Sequence, residues 1–538
     1  MKLEQVSLPV NNKLLSEYWS GSEKLHTFFQ YPLRDESYSK RAEYLKNQSY
    51  NTKQLSETIR SFMEPYGLTG KINENLSYLA DGSPVIVGGQ QAGILTGPLY
   101  SVHKAISVIL LAKEQTVKLG TKVIPLFWIA GEDHDLEEIN HTFTISQSEP
   151  KKRVYSERSK RKTMASTTEI NKSELKNTIE DIFKDYGETE YTQDLYKSVV
   201  SAIEESNTFT DFFTRCMHSL FKDEGLLMID AAFAPFRQFE SKFFQQMIEN
   251  NEKIAQVVVE KEQLLSEFGF GTPISATTDN ANLFFVKDGE RYLLERKSDY
   301  YINETANIKL TKEEILEVAV NSPENLSNNV VTRPLMQEMT MPVLAFVGGP
   351  GELAYWATLK DAFELLNLQM PLIVPRLNIT LITRQVEQLL EEYQLTIKDV
   401  FNGKVKELKD KFLDSIQDEK AKEQIQQLHE LVEEHYEKLL EHLNRQQIHL
   451  DQIVQKNKSY HRQQFDYLKS KIDQQVILKH EKIIRQFNTI SSEIYPNDNY
   501  QERVFNPYQY LTIYGPSLIS DLLELPFEFS NNHNVVHL

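Results

Sequence analysis

Between Gly403 and Pro496 the chain contains neither glycine nor proline. No other feature narrows the possible folds as much, because these two residues are the usual interrupters of a helix. Leu428, Val432, Leu439, Leu443, Leu450 and Val454 recur at intervals of three, four or seven, as one face of a long helix requires. Phe465, Leu468, Ile472, Val476, Ile483 and Phe487 repeat the pattern farther on, and glutamate and lysine fill much of the remainder. A turn near His449 to Asp451, with Asp451 as a possible cap, predicts two antiparallel helices forming a coiled-coil arm over residues 396–495. At this level an intramolecular hairpin and a dimerising arm look the same.

The rest of the chain reads differently. PVIVGG, KVIPLFWIAGEDHD, GLLMIDAAFAPFR, MPVLAFVGG and MPLIVPR are short continuous apolar runs, the pattern of strands buried on both faces. Helical patterns separate them, so the order predicts parallel crossovers and a doubly wound α/β sheet. The expected organisation is an N-terminal helical segment (1–80), a Rossmann-like parallel sheet core in three pieces (81–144, 223–250, 331–395), two insertions (145–222, 251–330), the arm, and a segment packing back on the core (496–538). In the second insertion Asp288-Gly289 separates two β-rich runs and predicts a hairpin.

A net charge of −18 argues against a general phosphate-backbone binder, so no nucleic-acid partner is expected. The one dense basic cluster, KKRVYSERSKRK, reads as a solvated loop. No apolar run approaches the ~20 residues needed to cross a bilayer, and MKLEQVSLPVNNK lacks the apolar core of a signal peptide. A cytoplasmic protein without a membrane partner is the expectation. Cys216 is the only cysteine, which excludes an intramolecular disulfide; its helical, apolar neighbours predict burial.

Three constellations can carry chemistry. Four of the 20 glycines fall between Val85 and Gly97, in a turn holding Gly88, Gly89, Gln90, Gln91, Gly93, Thr96 and Gly97. In an open α/β sheet such a turn offers free N–H groups to an anion beyond a strand end; the alternative is a tight structural turn. Lys104, farther along the helix, could reach an anion. The second is Gly131-Glu132-Asp133-His134-Asp135, which could hold magnesium, orient an ammonium group or perform acid–base chemistry, with His134 as a base. Against this stands a solvated acidic loop; His141 adds only weak evidence for zinc. The third is Gly348-Gly349-Pro350-Gly351-Glu352 with Tyr355, near Arg333 and Arg376, whose guanidinium groups could neutralise phosphate or carboxylate. Asp230 is a weaker candidate at another strand end.

GGQQAGILTGPLYSVHK, FWIAGEDHDLEEINH and AFVGGPGELAYWATLK, followed by a long helical hairpin and RVFNPYQYL, resemble the bacillithiol-biosynthesis cysteine ligase family over essentially the whole chain. The resemblance implies a Rossmann-like core with two connecting-peptide insertions and a coiled-coil domain involved in dimerisation. It implies a ligase joining cysteine to the amine of glucosaminyl-malate and a homodimer formed through the arm; because a carboxylate must be activated before it acylates an amine, ATP and Mg²⁺ are expected. The matching motif positions are Gly89, Gln90, Gln91, Gly93, Thr96 and Gly97; Asp133, His134 and Asp135; and Gly348, Gly349, Pro350 and Glu352. On this reading Asp133, His134 and Asp135 are catalytic. The glycine-rich turns with Gln90, Gln91, Lys104 and Glu352 bind the cofactor, Arg333, Tyr355 and Arg376 bind substrate, and no resident metal is assigned. The HIGH and KMSKS signatures of class I aminoacyl-tRNA synthetases, to which the family's core is compared, are absent. A non-catalytic nucleotide- or metabolite-binding assembly protein using the arm for interaction is the alternative.

Overall fold

A computed structural model describes residues 1–9, 12–146, 148–156 and 162–538. Five strands, β1 (Val85–Gln90), β2 (Ile124–Ile129), β3 (Leu227–Asp230), β4 (Val343–Gly348) and β5 (Leu372–Pro375), form one sheet in the order β5-β4-β1-β2-β3. All four pairings are parallel. Read from the other edge, this is the first five strands of the doubly wound dinucleotide-fold order. The apolar runs form these strands because both faces are covered: every residue of β2 and β4 is buried. Helix α1 (Leu99–Leu119) crosses from β1 to β2, and α3 (Pro350–Trp356) follows β4; α2 (Thr332–Thr340) precedes it. The strand order reverses direction between β1 and β4, so both glycine-rich turns leave the sheet at its switch point, where ligands of such folds bind.

Long excursions leave this sheet after β2 and after β3. The first carries the helices Lys172–Tyr186, Thr192–Glu205 and Phe209–Phe221, the last capped reciprocally by Thr208 and Asp211. The second builds an antiparallel sheet whose central hairpin, Asn280–Lys287 with Glu290–Lys297, turns at Asp288 and Gly289. Both turn residues have positive φ, 53° and 81°, as a two-residue hairpin demands. The N-terminal segment carries the expected helices, among them Asp35–Lys46, Thr52–Met63 and Gly70–Ala80, and in addition a strand, Lys2–Val6, paired antiparallel with His533–His537, which also pairs with Ile379–Ile382. Cys216 is buried, and burial pushes its thiol up to about 12, which removes it as a nucleophile at neutral pH. Of the basic cluster, Lys151 to Arg153 lie in a strand rather than a loop, and Arg153 grips Asp185 at 2.6 and 2.7 Å. Residues 157–161 of that cluster lie outside the described residues.

Contacts divide the chain into two units, one comprising 1–146, 150–382 and 499–538, the other 147–149 and 383–498. The second unit holds the long helices Glu419–Arg445 and Asp451–Lys479. Lys458 meets Glu437 at 2.6 Å and Lys422 meets Asp473 at 3.8 Å, a constant antiparallel register. Asp451 is not the cap: Leu450 holds that position, and Asp451 begins the helix, where its charge suits the positive end of the dipole. The seam also differs from the expected stripe. Ile425, Leu440 and Val454 are buried, whereas Leu428 and Leu439 remain 53% and 44% exposed. The apolar surface of the first helix is wider than one partner helix can cover, so part of it stays outside.

Candidate functional site

A cleft of about 330 Å³ opens at the switch point, lined by both glycine-rich turns and by side chains from α1, α2 and α3. The glycines of the first turn have packing reasons. A Cβ on Gly89 would stand 2.3 Å from the Trp128 carbonyl oxygen in the neighbouring strand, and one on Gly93 would stand 2.7 Å from the Cα of Gly97. Leu95, Thr96 and Gly97 all take positive φ, so the loop turns through three consecutive left-handed residues before α1. Gly89, Gln90 and Gln91 reach the cleft; Gly93, Thr96 and Gly97 shape the buried turn behind it.

Lys104 was expected to reach an anion from the helix. Instead its side chain is almost fully buried, and Nζ donates to the Gly89 carbonyl (2.6 Å), Gln90 Oε1 (3.1 Å) and Glu352 Oε2 (2.6 Å). All three ammonium hydrogens are thus engaged, tying β1, α1 and α3 together. Burial lowers its pKa, and the Glu352 carboxylate opposes that shift. Glu352 Oε2 also accepts the Gly349 N–H at 2.7 Å, closing a cap at the start of α3. Gly348, the last residue of β4, is buried and accepts the Arg376 N–H at 2.9 Å.

The arginines divide into two kinds. Arg376 lines the cleft, but its guanidinium forms a bidentate pair with Glu502, 2.6 Å on each arm, with both side chains buried. Against the cost of burial, Arg376 and the hydrogen bond from His103 hold the Glu502 carboxyl far below its usual range. The charge of Arg376 is compensated inside the protein, because Glu502, 126 residues away in sequence, comes to it. Arg333 differs. It donates to Gln337 Oε1 at 3.0 Å and to the Tyr355 hydroxyl, lies over the Phe346 ring, and meets no carboxylate among the described residues. Arg503, exposed on the same cleft, likewise has no carboxylate partner among the described residues. Sequence reasoning missed Arg503 and Tyr100; RVFNPYQYL signalled only a segment that packs back.

The acidic loop stands beside the cleft and is not part of its lining. Glu132 is buried and its Oε2 accepts from Arg237, Ser327 Oγ (2.7 Å) and the Asn328 N–H (3.2 Å). Arg237 also holds Glu240 at 2.8 Å, and Arg291 donates to Ser327 Oγ at 2.8 Å. Against burial, Arg237 and Arg291 keep Glu132 below its usual range; burial pushes Glu240 up to about 8. Asp133 is also committed: Oδ1 accepts the His134 and Asp135 N–H groups at 2.7 and 3.2 Å, and Oδ2 accepts Gln91 Nε2 at 2.7 Å. Gln91 thereby links this loop to the cleft. Asp135 precedes the short helix Leu136–Ile139 without capping it by its side chain.

His134 faces Arg291, with Nη1 at 3.5 Å from Nδ1, and packs on Phe284. An arginine can only donate, so Nδ1 accepts, and neutral His134 carries its proton on Nε2. Burial, then the Arg291 charge, lowers its pKa. Asp230, at the end of β3, is buried and receives Ser166 Oγ at 2.6 Å and the Ala232 N–H at 3.0 Å. Burial raises it to about 6. His141 binds the Glu137 carbonyl at 3.0 Å through Nδ1, and among the described residues no group of three or more His, Cys, Asp or Glu side chains could hold a metal.

Fold and cleft define a doubly wound α/β protein with a cleft at its switch point. Residues 1–377 match the Rossmann-like domain of bacillithiol-biosynthesis BshC, and residues 379–538 match its C-terminal coiled-coil domain. The protein named "Putative cysteine ligase BshC" from Lysinibacillus sphaericus is 56% identical over 538 residues, covering all of both chains. Proteins of the same name from Bacillus cytotoxicus and Geobacillus kaustophilus are 35% and 36% identical, again over the full length of each. The chain belongs to the BshC family of bacillithiol biosynthesis. Among the described residues no helix is long and apolar enough to cross a membrane.

Proposed function

We propose that this protein forms an amide between the carboxyl of cysteine and the amine of glucosaminyl-malate, with ATP activating the carboxyl. Family membership and the relatives' names support cysteine as the substrate. The observation that carries the reading is the pair of guanidinium groups, Arg333 and Arg503, lining a switch-point cleft without carboxylate partners among the described residues. Cations left uncompensated at a cleft favour anionic ligands. Both nucleotide phosphates and the malate carboxylates are anionic.

A bound nucleotide would supply a phosphoryl or adenylyl group that gives the cysteine acyl carbon a good leaving group. A cysteine carboxylate oxygen bonds to phosphorus, displacing ADP or pyrophosphate. The glucosamine nitrogen then attacks the carbonyl carbon, the bond from that carbon to the phosphate oxygen breaks, and the amine loses a proton. Arg333 serves to stabilise charge on the phosphate oxygens. Glu352, the one carboxylate among the described residues lining the cleft, holds Lys104 and the Gly349 N–H through Oε2 and orients the incoming amine through Oε1. Gln90 and Gln91 offer amides to the same ligands. The Mg²⁺ expected with ATP has no ready-made cluster of three protein ligands among the described residues, and no step is routed through it.

The arm supports a homodimer: Leu428, Leu431 and Leu439 are large apolar side chains left exposed on it. The reading is tested by incubating the protein with ATP, Mg²⁺, cysteine and glucosaminyl-malate and following products by mass spectrometry. Bacillithiol is the expected product, with AMP marking an adenylate and ADP an acyl phosphate. Folded protein that makes no product, even with cell extract added, would overturn it.

A further inference from the structure

A second cavity, of about 290 Å³, adjoins the switch-point cleft and shares Pro350, Arg376 and Arg503 with it. The two chambers differ in chemistry. The cleft has two glycine-rich turns, Lys104 and Arg333; the second cavity has none of these, and the residue of α3 that it meets is Pro350, which has no N–H to offer a phosphate. Its wall instead carries three asparagines, Asn12, Asn378 and Asn531, with Tyr500 and His533, above an apolar floor that includes Leu15.

The asparagines are only partly engaged. Asn12 Oδ1 accepts the Leu15 N–H at 2.9 Å, and Asn378 Oδ1 accepts Arg376 at 3.2 Å. Their Nδ2 groups, and the whole amide of Asn531, have no hydrogen-bond partner among the described residues. An amide can both donate and accept, as a hydroxyl does, so convergent amides suit a polyol better than a polyphosphate. Arg376 and Glu502 also line this cavity, but they are locked to each other and present little net charge. Arg503, on the shared wall, is the cation left over.

We propose that this second cavity is the acceptor subsite, taking a neutral sugar ring that bears a carboxylate. The ring hydroxyls lie against the asparagines and the anionic end turns toward Arg503 on the wall shared with the cleft. The inference rests on the ligase reading above and adds to it a division of labour. The activated acyl donor occupies the glycine-rich cleft, the amine-bearing sugar acid occupies the amide-lined chamber, and they meet beside Pro350 and Arg376. Bringing two reactants to one wall is the main requirement for joining them.

Asn531 is exposed at the cavity, so replacing it leaves the core untouched. Isothermal titration of glucosaminyl-malate, without nucleotide, into wild type, Asn531→Trp and Asn531→Ala tests the assignment, with ATP titrated separately and melting temperatures as a folding check. Filling the chamber with tryptophan is expected to weaken glucosaminyl-malate binding roughly tenfold or more, and removal of the amide to weaken it about threefold to tenfold. ATP affinity should stay within about twofold in both variants. Wild-type affinity for glucosaminyl-malate in Asn531→Trp would overturn the subsite while leaving the ligase reading intact. Equal loss of ATP and glucosaminyl-malate affinity in a folded variant would overturn the division into two chambers. A wild type that binds glucosaminyl-malate in neither the presence nor the absence of ATP would sink both proposals.

Discussion

The glycine-rich cleft and the acidic loop lie side by side at the carboxyl edge of one sheet, and both are crowded with charge. They handle that charge in opposite ways. In the acidic loop two of the three carboxylates are matched, Glu132 by Arg237, Ser327 and Asn328, and Asp133 by Gln91 and two backbone N–H groups, while Asp135 is exposed to solvent. In the cleft, Lys104 and Arg376 are matched, but Arg333 and Arg503 are not. Compensated charge holds a loop in place; uncompensated charge at a cleft waits for a ligand. On this ground we propose that the chemistry belongs to the cleft rather than to the more conspicuous motif, GEDHD.

The largest expected effect breaks the scaffold. Arg237→Ala leaves the buried Glu132 and Glu240 without their shared cation, and denaturant unfolding should show a loss of about 3–5 kcal/mol. A loss under about 1 kcal/mol would show that the cluster is not holding the loop.

Asp230 gives a smaller, pH-dependent effect. Burial raises its folded pKa from 3.8 to about 6, so the folded state binds this proton more tightly than the unfolded chain does. Its contribution is therefore most favourable below the unfolded value and is lost as pH rises through about 6. Between pH 4 and pH 8, unfolding free energies should shift in favour of Asp230→Asn by about 2.5 kcal/mol relative to wild type. A difference that does not change with pH would contradict the assignment.

His134 sharpens the comparison from the side of activity. As an N–H donor beside the cleft, its replacement by alanine should lower kcat/KM about tenfold, whereas loss of a general base would cost a hundredfold or more. The larger loss, with the disappearance of an ionisation from the pH–rate profile, would return His134 to the role of base. The smallest effect on folding is expected in the arm. Leu428→Ser should change unfolding free energy by no more than about 0.5 kcal/mol, since the side chain is exposed. Sedimentation should nevertheless show a shift from dimer toward monomer; an unchanged dimer would remove that face from the interface.

Much of this architecture was legible in the sequence for local reasons. Strands buried on both faces are continuous apolar runs, Asp288-Gly289 can adopt two positive φ values, and a long stretch free of glycine and proline propagates as helix. The site residues were harder to judge because the partners decide what each does. Glu502 comes to Arg376 from 126 residues away and Arg237 comes to Glu132 from 105, so nothing near Arg376 or Glu132 announces that either is occupied. Lys104 reads as free to reach an anion because the Glu352 that engages it belongs to a helix 248 residues on. The glycines were found but their reason was not: Gly89 is required by the Trp128 carbonyl in the next strand. The arm's periodicity was visible, but two apolar ridges on one helix leave open which of them a partner helix covers.

The central claim is that the uncompensated cleft, and not the matched acidic loop, performs the reaction. Its most direct test is the product-forming rate of Arg333→Ala, measured by mass spectrometry beside its melting temperature. Without the guanidinium, kcat/KM is predicted to fall roughly a hundredfold or more while the fold melts as in wild type. Wild-type activity in Arg333→Ala would contradict the account and return the search for the catalytic groups to the acidic loop.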